Sequence, residues 1–90
     1  MNSDQIDIGK YSTKNLSLAA YLSCFTKISF IGAEKVSNEF LFKFTPKSKA
    51  EKLVNQYFAG TATVNPRELF ARFHDLKDLI FNEKRMNGGF

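Results

Sequence analysis

The sequence predicts a single small α+β domain in which a short antiparallel β-hairpin or three-stranded sheet packs against three helices, and three patterns predict it. Phe40, Phe42 and Phe44 alternate along Glu39 to Thr45 with the period of two that a half-buried strand requires. Ala50, Leu53, Val54, Tyr57 and Phe58 follow the i, i+3, i+4, i+7, i+8 spacing of an amphipathic helix. Asn65-Pro66-Arg67-Glu68 opens a further helix, with Asn as cap, Pro at the first position and Glu where a capping box places it. The predicted order is a possible strand, then helix, strand, strand, helix, helix.

Residues 1–10 read as an N-terminal arm or short strand, because Ile6 and Ile8 alternate with Asp7. Ser12 or Thr13 is then placed to cap a helix carrying Leu16, Leu18, Ala19, Ala20, Tyr21, Leu22 and Phe25. The stretch from Asn15 to Phe25 is apolar around most of its circumference, so this helix is expected to be the most deeply buried. Lys27 to Ile31 reads as a strand with Ile28 and Phe30 alternating, and Gly32 to Asn38 as the turn into the second strand. On that second strand the phenylalanines face the core while Leu41 and Lys43 share the other face.

Thr45 is expected to cap the next helix, with Pro46 at its first position and Gly60 ending it. Lys47, Lys49, Lys52 and Gln56 lie opposite its apolar stripe, with Glu51 the acid among them. Val64 and Leu69 occupy hydrophobic-staple positions around the last helix, which is expected to run to about Phe81 on a stripe of Leu69, Phe70, Phe73, Leu76, Ile80 and Phe81. The domain therefore spans 11–82, and 83–90 read as a flexible basic tail.

Ninety residues suffice for one core, and ten Phe with three Tyr make it aromatic. A hydrophobic fraction of 43% argues against disorder. No apolar run approaches the roughly 18 to 20 residues needed to span a bilayer, and the start is polar, so the expected location is cytoplasmic with no membrane partner. A single cysteine, Cys24, excludes an intramolecular disulfide. It reads as a small packed hydrophobe, with a reactive thiol as the alternative.

His74 is the only histidine, with Asp78 at i+4, and no nucleophile is placed beside it. There is no HExxH, CxxC, calcium-loop or phosphate-loop pattern. A non-enzyme without cofactor or metal is the resulting expectation. A net charge of +4 favours polyanionic partners, and its sharpest local expression is Lys43, Lys47, Lys49 and Lys52. These four residues are the candidate nucleic-acid-binding set, for nucleic acid or a nucleoprotein complex. The same lysines also read as a solvated helix face.

A second basic group, Arg67, Arg72, Lys77, Lys84 and Arg85, is interleaved with acids and reads as i,i+4 pairing. Base stacking on the strand phenylalanines would need exposed rings, which their core-facing alternation argues against. The alternative function is a protein interaction module or homodimer on the last helix, through Phe70, Leu79 and Phe81.

The stretch from Tyr11 to Asn82 resembles a small prokaryotic and viral domain family of unknown function. The resemblance is carried by Thr13-Lys14-Asn15-Leu16 with Ala19-Ala20-Tyr21-Leu22, Phe40-Leu41-Phe42-Lys43-Phe44, Val54-Asn55-Gln56-Tyr57-Phe58, Val64 to Phe70, and Leu76 to Ile80. These are caps and core positions. The resemblance therefore implies a fold and no catalytic residue, and the family's association with phage and mobile-element genomes implies nucleic-acid machinery.

Overall fold

A computed structural model describes the backbone of residues 9–88 and the side chains of residues 9–82. The elements are β1 (Tyr11–Thr13), α1 (Leu16–Leu22), β2 (Ser29–Val36), β3 (Glu39–Thr45), α2 (Lys47–Ala59) and α3 (Pro66–Gly88). The strands form one antiparallel sheet in the order β1-β3-β2, which places the phenylalanine strand at the centre. Phe42 and Phe44 are 1% and 0% exposed, and Phe40 is buried with them. The opposite sheet face, with Ser12, Glu34, Leu41 and Lys43, is half-buried or exposed.

The first strand among the described residues lies just beyond the expected arm. Ile6 and Ile8 lie outside the described residues, and β1 is formed by Tyr11–Thr13, pairing with Phe44, Lys43 and Phe42. Ser12 and Thr13 therefore do not cap α1. Asn15 does so, its Oδ1 accepting from the Leu18 N–H at 3.1 Å, while the Thr13 hydroxyl oxygen accepts from the Asn15 N–H.

Leu18, Ala19, Ala20, Tyr21 and Leu22 are all buried, as expected of a helix apolar on every side. It packs chiefly on α3, then on α2 and the sheet. The helix stops at Leu22, short of Phe25. The Ser23 hydroxyl and Cys24 thiol donate back to the Ala19 and Ala20 carbonyls, and the Cys24 and Phe25 N–H groups reach only three residues back, tightening the chain into a turn.

β2 begins later and extends further than expected, because Gly32 is a bulge and not a turn. The register passes from the Phe30–Phe44 pair to the Gly32–Lys43 pair, leaving Ile31 as the extra residue, and Gly32 takes φ 151°. The turn is confined to Ser37 and Asn38, with Ser37 at φ 58°.

Thr45 also has another role. Its hydroxyl donates to the Gly9 carbonyl at 3.3 Å, and the same carbonyl accepts from the Lys47 N–H at 2.9 Å. The start of α2 is thus satisfied by the chain preceding β1, with Pro46 at the cap position. Gly60 ends α2 as expected, in the left-handed region at φ 80°. Phe58 departs from the expected stripe. It is 67% exposed, its ring packing edge-on against Tyr57 at 5.1 Å.

Asn65 caps α3, its Oδ1 accepting from the Arg67 N–H at 2.8 Å and the Glu68 N–H at 3.4 Å. Among the described residues no bond returns from the Glu68 carboxylate to Asn65. The helix continues to Gly88, beyond the expected end near Phe81 and through most of the expected tail. Along its expected stripe, Leu76 is buried, Leu69, Phe73 and Ile80 are half-buried, and Phe70 and Phe81 are exposed. Among the described residues no helix is long and apolar enough to cross a membrane.

Candidate lysine cleft

The lysines singled out in sequence do not share one surface. Lys43 lies on the open sheet face and is ion-paired to Glu34, whose carboxylate it holds below the ordinary glutamate range by hydrogen bond and charge. Lys47, in the first turn of α2, stands 4.0 Å from Glu51 one turn on. Lys49 and Lys52 are different. With Gln56 and Leu53 they occupy i, i+3, i+4 and i+7 positions, which bring all four onto one side of α2, so these polar residues border the apolar stripe at Leu53 and do not lie opposite it as expected.

That side of α2 forms one wall of an open cleft of about 450 Å³. The other wall is the chain between α1 and β2, which contributes Phe25, Thr26, Lys27 and Ile28. Ile28 is buried at the floor, Phe25 and Leu53 are half-buried, and Thr26, Gln56 and the three lysines are exposed. The cleft therefore has an apolar base and a rim of three cations, with no carboxylate in its lining.

Lys27, Lys49 and Lys52 belong to no ion pair among the described residues. Elsewhere Lys14 meets Glu39 at 2.7 Å and Arg72 meets Asp75 at 3.4 Å. Lys10, Lys35, Arg67 and Lys77 are also outside the ion pairs; the first three line none of the described clefts, and Lys77 lines a separate one alone among apolar residues. Three like charges held around one recess create a positive potential that an anion would relieve.

Lys27 and the Phe25–Ile28 wall were not anticipated from sequence. A single lysine in a short run carries no periodic signal, and its approach to α2 depends on packing across more than twenty intervening residues. The Phe25 ring is held in place by Tyr21, at 5.0 Å between ring centres and 73° between planes. Tyr21 also packs on Tyr57 at 5.3 Å, and its buried hydroxyl has no hydrogen-bond partner among the described residues. Burial, and secondarily Cys24, push the Tyr21 pKa up.

The other predicted positions fall elsewhere. His74 is exposed on α3 and lines none of the described clefts, and no hydrogen bond joins it to Asp78 among the described residues. Cys24 is half-buried. Burial pushes its thiol pKa up and Glu68 adds to this, against an opposing pull from Arg72, so the thiol stays protonated at neutral pH. In the second basic group Lys77 lies over the Phe73 ring at 5.7 Å and Arg72 is paired, while the side chains of Lys84 and Arg85 lie outside the described residues.

On α3, Phe70 and Phe81 are 64% and 59% exposed and lie within about 20° of one another around the axis at about 100° per residue. By the same count Leu79 sits on the opposite flank, where it packs against the core. The alternative interface trio is therefore not one patch. Phe70 instead lines a smaller cleft of about 230 Å³ with Ser17, Tyr57, Leu69 and Phe73. Among the described residues no group of three His, Cys, Asp or Glu is arranged to hold a metal ion. No family model, curated protein or solved structure matches the chain.

Proposed function

We propose that this chain is a small accessory protein that binds nucleic acid, alone or within a nucleoprotein complex, and that the binding residues are Lys27, Lys49 and Lys52. The observation that supports this is the unpaired lysine triplet around a cleft without a carboxylate. Phosphodiesters neutralise such a rim and release condensed counterions, so affinity falls steeply with salt. Lys43 and Lys47 contribute less, because Glu34 and Glu51 already screen them.

The test is an anisotropy titration of a labelled oligonucleotide across a salt series. Lys49→Glu with Lys52→Glu should weaken binding at least tenfold and reduce the slope of log K against log salt by about 1.4 to 1.8, with the circular dichroism spectrum unchanged. Wild-type affinity in that folded double variant would refute the assignment.

A second reading, a protein partner, draws on two exposed rings, Phe58, which packs edge-on against Tyr57, and Phe70, which lines the same cleft as Tyr57. It predicts self-association or partner binding that is insensitive to salt and abolished by Phe70→Asp, measured by light scattering.

A further inference from the structure

A site for phosphates alone needs only cations on an accessible surface. The lysine cleft has more. Its cations surround a recess whose apolar residues, Phe25 and Leu53, keep part of their surface exposed. Burying apolar surface is favourable in proportion to the area removed from water, so a ligand that covers it gains what the fold leaves unused. At about 450 Å³ the recess lies within the range of pockets that enclose small organic groups, which run from about 300 to 1,000 Å³.

We infer that the cleft takes an unpaired nucleotide, its base against Phe25, Ile28 and Leu53 and its flanking phosphates on Lys27, Lys49 and Lys52, so that the ligand is a single strand and not a duplex. This rests on the nucleic-acid reading above. A duplex keeps its bases stacked inside, and its backbone could touch only the lysine rim, leaving the apolar floor uncovered. A single strand can turn a base out, and stacking on an aromatic side chain tightens binding by roughly five- to 150-fold per base. Phe25 is suited to this because the Tyr21 edge contact already fixes its ring, so little ordering remains to be done on binding. Gln56, one turn beyond Lys52, offers a carboxamide donor and acceptor at the rim, the chemistry that reads a base edge.

The intact protein is titrated with three labelled probes of equal length: a single strand, its duplex, and the same strand with abasic sites in place of its bases. The single strand should bind at least tenfold more tightly than the other two. Phe25→Leu should lower single-strand affinity towards that of the duplex while leaving the salt slope unchanged, because the slope counts phosphates and not stacked bases. Deoxy and ribo versions of the strand separate the two sources of this ligand, and tight binding of either supports it. Equal affinity for all three probes would overturn base insertion while leaving the phosphate site intact. Binding of none of them would overturn both. The abasic comparison uses the wild-type protein, so it remains decisive even if Phe25→Leu disturbs folding.

Discussion

The centre of the sheet and the cleft beside α2 are both aromatic-rich, yet they resolve their surfaces in opposite ways. Around β3, Phe40, Phe42 and Phe44 are covered by α1 and α2, and no polar or charged residue is buried among the described residues. In the cleft, Phe25 and Leu53 remain partly exposed beneath three lysines that form no ion pair among the described residues. The core is complete without a ligand, whereas the cleft leaves apolar surface and like charge together. Residues that form the core and residues that line the cleft therefore belong to separate regions and can be changed separately by mutation.

The largest effect should come from breaking the core. Phe42→Ala removes a fully buried ring and should cost about 3 to 5 kcal/mol, a large part of the stability of a small domain, read as a drop in the urea midpoint. An effect below about 1 kcal/mol would show that the phenylalanine row is not the core. The cleft should respond in the reverse sense. Lys27→Glu is expected to change unfolding free energy by no more than about 0.5 kcal/mol, since Lys27 is exposed and in no ion pair, while lowering oligonucleotide affinity severalfold. Loss of stability with retained binding would invert the comparison.

Tyr21 stands between the two regions and sharpens the boundary. Its ring packs on Phe25 of the cleft and Tyr57 of α2, but its buried hydroxyl has no partner among the described residues. Removing an unsatisfied polar atom of this kind relieves a desolvation cost, so Tyr21→Phe should raise stability by about 1 kcal/mol. That gain corresponds to about 4 to 8 °C in Tm for a domain of this size. A fall in Tm would mean that the hydroxyl is bonded in solution.

The smallest effect should appear on the open sheet face. Glu34 has its pKa lowered by Lys43, so the pair contributes its full stability above the ordinary glutamate value of 4.5 and loses it as pH falls through the lower folded value. Because Glu34 is fully exposed, the acid-induced loss should be slight and should shrink further with salt. Comparing Glu34→Gln with the wild type across an acid denaturation series measures it. Lys43→Ala should lower oligonucleotide affinity by no more than about twofold, and a tenfold loss there would move the binding surface from the cleft to the sheet.

Much of the fold was legible because it depends on neighbours in sequence. The phenylalanine alternation, the Gly60 stop and the Asn65-Pro66 start are local patterns whose geometry follows from backbone periodicity and capping. Local rules misled where a distant group took over a local role. Thr45 was expected to cap α2 but bonds the Gly9 carbonyl, and Gly32 was expected in a turn but forms a bulge because β2 continues along β3. The candidate site was half legible. Lys49 and Lys52 belonged to the predicted set with nothing to set them apart from Lys43 and Lys47, while Lys27 and Phe25 were not in it.

The sequence alone determined the fold class, the central aromatic strand and the presence of a basic segment, since each is written in spacing and composition. Only the tertiary structure decided which lysines stand together. It set Lys43 and Lys47 beside acids, brought Lys27 across from Lys49 and Lys52, and left Phe25 half-covered below them. Such groupings arise from how α2 packs beside the chain leading into β2, and contacts between segments far apart in sequence leave no local periodicity to read.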